Sequence, residues 1–166
     1  MVTPVPEPTQ VIRNLRNMVL SLSPDQIGVT QSPKYPHVWG LLMETGHPQA
    51  LVTLVSLADG TASLYFGHGG GVIGGGEHAS VRQAVQVFIA SAEEYRAELV
   101  PTSEFPLPDV GRVKFYLLTF SGVLTADADE NDLGDGGHEL SDLFYAGHNV
   151  IAQLRGITEG ENDAQQ

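Results

Sequence analysis

At 166 residues, 42% of them apolar, the chain is long enough to bury one sizeable core and too short to divide readily into two. Twenty acidic residues against eight basic ones leave a net charge of −12, so the face of cations that nucleic acids and anionic membrane surfaces require is not available. No run reaches the roughly 20 apolar residues of a bilayer span, no basic-then-apolar leader marks secretion, and the lack of cysteine removes disulfides and thiol chemistry; a bacterial-type cytoplasmic protein is expected.

Prolines at 4, 6 and 8 make residues 1–8 an extended, flexible leader. Thr9 then suits a helix N-cap, and Val11, Ile12, Leu15, Met18, Val19 and Leu22 recur with helical period. Ser23-Pro24-Asp25-Gln26 starts one further helical turn, with a capping serine and proline in the first position. Three strands follow: Val38–Met43, Leu51–Leu57 and Thr61–Phe66. Asp59-Gly60 between the last two predicts a type I′ hairpin turn.

A second helix runs from a capping box at Ser80 and Gln83 to Leu99, with Val81, Ala84, Val85, Phe88, Ala92, Tyr95 and Leu99 on one face. Arg112–Phe120 reads as a buried strand with a short extension at Val123–Thr125, and residues 126–140 read as an acidic surface loop. Ser141 caps a third helix that closes at Arg155-Gly156. The expectation is a single α+β domain over residues 9–156, in the order α-β-β-β-α-β-α. It has one antiparallel-dominated sheet of four to five strands packed by two to three helices, and a disordered acidic tail at 157–166.

Seven of the 19 glycines lie between Gly67 and His78. So many residues of high conformational entropy in one strand-to-helix connection imply left-handed backbone or a close approach by something else. A glycine run before a helix N-terminus is how many proteins bind anions, which makes Gly67, His68, Gly69, Gly70, Gly71, Gly74, Gly75, Gly76, Glu77, His78 and Ser80 the candidate ligand- or partner-binding residues. No Lys-Ser/Thr follows as a phosphate loop requires. His68-Gly69-Gly70-Gly71 has the form of an esterase oxyanion loop, but no Gly-x-Ser-x-Gly nucleophile elbow exists. The histidines at 68 and 78, with Glu77, are candidate transition-metal donors.

Asp127, Asp129, Asn131 and Asp135 place oxygens at the offsets of a calcium loop within residues 127–139, so Ca²⁺ is the one cofactor the sequence suggests. Position 6 of that loop is Asp132 instead of glycine, and position 12 is His138 instead of glutamate. With no catalytic residue assigned, the favoured expectation is a non-enzymatic interaction or regulatory module. It would engage a protein partner, a basic one by charge, through its acidic surface and the glycine-rich loop; self-association is also open. The alternative is a small anion-binding or hydrolytic enzyme using the same loop and its flanking histidines.

Overall fold

The computed structural model describes residues 2–73 and 77–164. The elements run α1 (Gln10–Leu20), β1 (Val38–Gly46), β2 (Leu51–Leu57), β3 (Ala62–Phe66), β4 (Gly71–Ile73), α2 (Ala79–Tyr95), β5 (Val100–Thr102), β6 (Arg112–Thr119), β7 (Gly122–Asp129), α3 (Glu130–Gly134) and α4 (Ser141–Ala164). The strands form one seven-stranded sheet in the order β4-β3-β2-β1-β6-β7-β5, antiparallel throughout. The mixed α and β architecture is as expected from the sequence, but the sheet is larger than four or five strands and a fourth helix, α3, is present among the described residues.

Helices cover both faces of the sheet, which is why its central strands carry apolar residues at consecutive positions. Leu41 and Met43 of β1, Leu54 of β2 and Val113, Phe115 and Leu117 of β6 point to one side. There they meet Val81, Val85, Phe88 and Ile89 of α2 and Leu143, Phe144, Val150 and Leu154 of α4. Leu42, Val55, Leu57, Tyr116 and Leu118 point to the other side, where Ile12 and Val19 of α1 pack. Val38 pairs with Thr119 and Gly40 with Leu118, so Trp39 is an extra residue in β1, a bulge. The bulge turns Trp39 away from the α2/α4 side and into the cluster beneath α1.

Local chemistry explains most boundaries. Thr9 caps α1 by accepting a bond from the Ile12 amide, and the Ser23–Gln26 capping box forms around the 3₁₀ turn Pro24–Ile27. At the β2–β3 hairpin only Gly60 has positive φ (96°), and Gly60 N–H donates to Leu57 O at 2.9 Å. The turn is therefore type I followed by a left-handed glycine, not the type I′ expected from Asp59-Gly60, which needs positive φ at two residues. The leader runs along the sheet: Val110 N–H donates to Thr3 O, Pro4 bridges to Asp109, and Val5 is buried. Past Gly156, where the sequence suggested an end, α4 continues to Ala164. No described helix is long and apolar enough to cross a membrane.

Candidate functional site

The first half of the glycine-rich segment is a tight turn between β3 and β4. Phe66 N–H donates to Gly70 O at 3.1 Å and Gly69 N–H to Phe66 O at 2.8 Å. Gly69, Gly70 and Gly71 take φ of 113°, 85° and 149°, backbone that L side chains avoid. At Gly71 a Cβ would lie 2.0 Å from Leu64 O, so the neighbouring strand, and not a ligand, is what approaches the chain so closely. Gly67 is buried, its N–H bound to Leu51 O (2.7 Å) and its carbonyl bound by the Thr9 amide (2.8 Å). The amides of Gly67 and Gly69 are thus already used within the fold.

His68 stacks on Phe66 with ring centroids 6.0 Å apart, and its Nδ1 lies 3.1 Å from Gly69 O. Gly74, Gly75 and Gly76 lie outside the described residues. Glu77 is exposed, and His78 is the residue at which α2 begins, its carbonyl accepting from Arg82 N–H at 3.0 Å. Ser80 lies inside the helix, so the capping box expected at Ser80 and Gln83 is not formed. The His78 side chain makes no capping bond. Among the described residues no group of three or more histidines and carboxylates is placed to hold a metal ion.

The acidic segment is regular structure, not the surface loop expected over 126–140. β7 extends to Asp129 and α3 follows directly. Arg112 Nη2 reaches Asp127 Oδ1 at 2.7 Å and Lys114 Nζ reaches Asp127 Oδ2 at 3.1 Å, cross-strand pairing that explains why carboxylates alternate with apolar residues here. Asp129 caps α3, accepting from the Asp132 amide at 3.1 Å. Asn131 lies within α3 and Asp135 just past its end. A calcium loop needs its oxygens on one folded-back segment, whereas Asp127 and Asp129 lie on β7, Asn131 in α3 and Asp135 just beyond it.

What residue spacing did not reveal is an apolar groove on the outer side of α2. Its volume is about 680 Å³, and Pro33, Tyr35, Pro36 and Val38 form one wall while Val87 and Ala90 form the other. Val87 is 59% exposed, a large apolar side chain left open on a helix whose opposite face is fully buried. Glu93 fixes the first wall to α2. It accepts from the His37 and Val38 amides (2.9 and 3.1 Å), His37 Nδ1 lies 3.0 Å away, and Arg96 Nε donates at 2.6 Å. Burial pushes the Glu93 carboxyl up, but the bonds from Val38, Arg96 and His37 outweigh it and hold the pKa below its ordinary value. The signal in the sequence was the stretch 83–92, ten consecutive residues of α2 without a charge.

Beyond the end of the groove the surface turns acidic. Tyr95 donates its hydroxyl proton to Asp142 Oδ2 at 2.8 Å, and a hydrogen bond between the Glu98 and Glu139 carboxyls, with the repulsion between them, raises the Glu98 pKa. Glu98, Glu139 and Asp142 place negative charge on this surface. Comparison with protein-family models, with curated proteins and with solved structures finds no match.

Proposed function

We propose that this protein is a non-enzymatic interaction module that holds an apolar segment of a basic partner protein against α2. The observation that carries the reading is the groove between residues 33–38 and α2, open, about 680 Å³ in volume and lined mainly by apolar side chains, on a chain of net charge −12. Apolar walls contribute affinity by excluding water from the bound segment. The surrounding negative charge steers a basic partner and disfavours acidic ones. Asp142, bound by Tyr95 of α2, and Glu98 with its neighbour Glu139 stand just beyond the end of α2 and would receive its lysines or arginines. In this reading residues 67–78 carry the chain from the sheet edge into α2, the first part as a turn, and the binding surface lies further along the helix.

Labelled peptides of about 12 residues, apolar in the centre and flanked by Lys/Arg in one set and by Glu in the other, test this by fluorescence anisotropy. The basic set binds and the acidic set does not. Val87→Asp weakens binding about tenfold, equivalent to about 1.4 kcal/mol. Equal binding of both sets, or binding unaffected by Val87→Asp, would overturn the proposal.

A further inference from the structure

On the opposite face of the molecule, α1 has more apolar surface than the sheet can cover. Ile12 and Val19 are buried against it, while Val11 and Met18 are 67% and 55% exposed. Leu15 and Leu22 lie between these two sets, only partly buried against the sheet cluster. Leu22 sits in the turn that closes the helix, its N–H donating to Val19 O at 3.1 Å. The outward residues are therefore 11, 15, 18 and 22, separated by four, three and four positions. That is the spacing of a coiled-coil seam, whose natural occupant is another α-helix.

The same spacing read backwards is unchanged, so the seam is complementary to itself. A two-fold axis across the middle of α1 sets Val11 of one copy against Leu22 of the other, and Leu15 against Met18. A closed two-fold contact requires this property. Charge points the same way. Residues 8–24 contain no acidic side chain, although the whole chain carries net −12. Arg13 is paired with Glu7, and Arg16 is buried on Glu44. Two such anions repel at most approaches, and an approach over this acid-free face lessens that repulsion. Antiparallel helices also bring the positive end of each dipole beside the negative end of the other.

We infer that the outward face of α1 is a self-association surface, on which a second copy of this chain docks antiparallel through Val11, Leu15, Met18 and Leu22. The contact is small. Interfaces burying less than about 1,200 Å² lie at the weak end of specific association, so the dissociation constant is on the order of 100 µM.

Sedimentation velocity between about 10 µM and about 1 mM tests it. The dimer fraction rises with concentration and also with salt, because salt screens the repulsion between two anions and leaves the apolar seam intact. Met18→Glu and Val11→Glu, both at exposed positions, weaken association at least about tenfold with unchanged circular dichroism. The chain has no cysteine, so mixing copies carrying Leu15→Cys with copies carrying Met18→Cys under mild oxidation gives a disulfide dimer in higher yield than Met18→Cys alone. A monomer throughout at high salt, a dimer indifferent to Met18→Glu, or no preference in the cross-linking would overturn the inference. Sensitivity of a dimer to Val87→Glu in place of Met18→Glu would move the contact to α2 and overturn it equally.

Discussion

Arg16 in α1 clasps Glu44 in β1 with two nitrogens, Nε at 2.8 and 3.1 Å from the carboxylate oxygens and Nη2 at 2.9 Å. Their side chains are only 8% and 0% exposed. Thr53 donates its hydroxyl proton to the same carboxylate at 2.7 Å, and Arg16 Nη2 also donates to Phe105 O at 2.7 Å. One buried charge pair thus ties α1, two strands and the loop before β6 together. Arg16→Ala leaves the Glu44 carboxylate without its counter-charge and is expected to cost about 3–5 kcal/mol. The double change Arg16→Met with Glu44→Leu removes both charges and should cost much less. Urea denaturation of the three proteins checks the order.

The turn after β3 supplies a second contrast. Gly69 and Gly71 both have positive φ, but a Cβ at Gly69 meets nothing within 4 Å, whereas at Gly71 it meets Leu64 O at 2.0 Å and Leu64 C at 3.0 Å. Gly69→Ala should cost only the conformational strain, about 1 kcal/mol, and Gly71→Ala several times that, because strand backbone cannot yield as a side chain can. Thermal denaturation of the two variants separates the effects.

Glu93 predicts a pH window. Its pKa is held below the ordinary 4.5, so the carboxylate contributes stability that is fully present above that value and is lost as the pH falls through the lower folded value. Glu93→Gln should therefore be less stable than the wild type at neutral pH, with the difference shrinking once the pH drops below about 4. A gap that stayed constant down to strongly acidic pH would show that shape, not charge, holds the groove wall.

Glu98, just past α2, and Glu139, just before α4, predict a dependence of one titration on the other. Replacing Glu139 by Gln removes the carboxylate that accepts a hydrogen bond from protonated Glu98 and repels its charged form, so the raised Glu98 pKa should fall towards its ordinary value. Carbon-detected NMR titration of the glutamate side chains reads this directly.

Calcium at millimolar concentration is expected to leave the melting temperature unchanged, since Asp127 is neutralised by Arg112 and Lys114 and Asp129 is used as a cap. Differential scanning fluorimetry with and without a chelator is sufficient. A rise of several degrees would restore the metal reading of Asp127, Asp129, Asn131 and Asp135.

Local signals marked much of this fold. Thr9 and the apolar period of α1, the Ser23–Gln26 capping box and the three-strand meander all depend on neighbours a few residues away, whereas Ser141, expected as a cap, is the first residue of α4 itself. The strands that escaped notice lack such signals. β4 is Gly71-Val72-Ile73 behind a glycine run and β5 is Val100-Pro101-Thr102, each three residues long and too short to show an alternating pattern, and they pair because β3 and β7 present open edges. β7 looked like an acidic loop because Asp127 faces Arg112 and Lys114, a compensation visible only once β6 lies beside it. The groove was hidden for the same reason. Its walls come from residues 33–38 and 83–93, distant in sequence and brought together by the bonds that His37 and Val38 donate to Glu93.

The bulge at Trp39 makes the two layers of this protein separately observable. The only tryptophan sits 2% exposed beneath α1, and its indole N–H has no hydrogen-bond partner among the described residues. Its emission therefore reports the dryness of that one face. If α1 lifted while α2 and α4 stayed in place, the fluorescence would shift to the red and the helical circular dichroism would fall only by the share of α1. Had β1 kept a regular register, the same residue would have pointed towards α2 and α4 and followed the other layer.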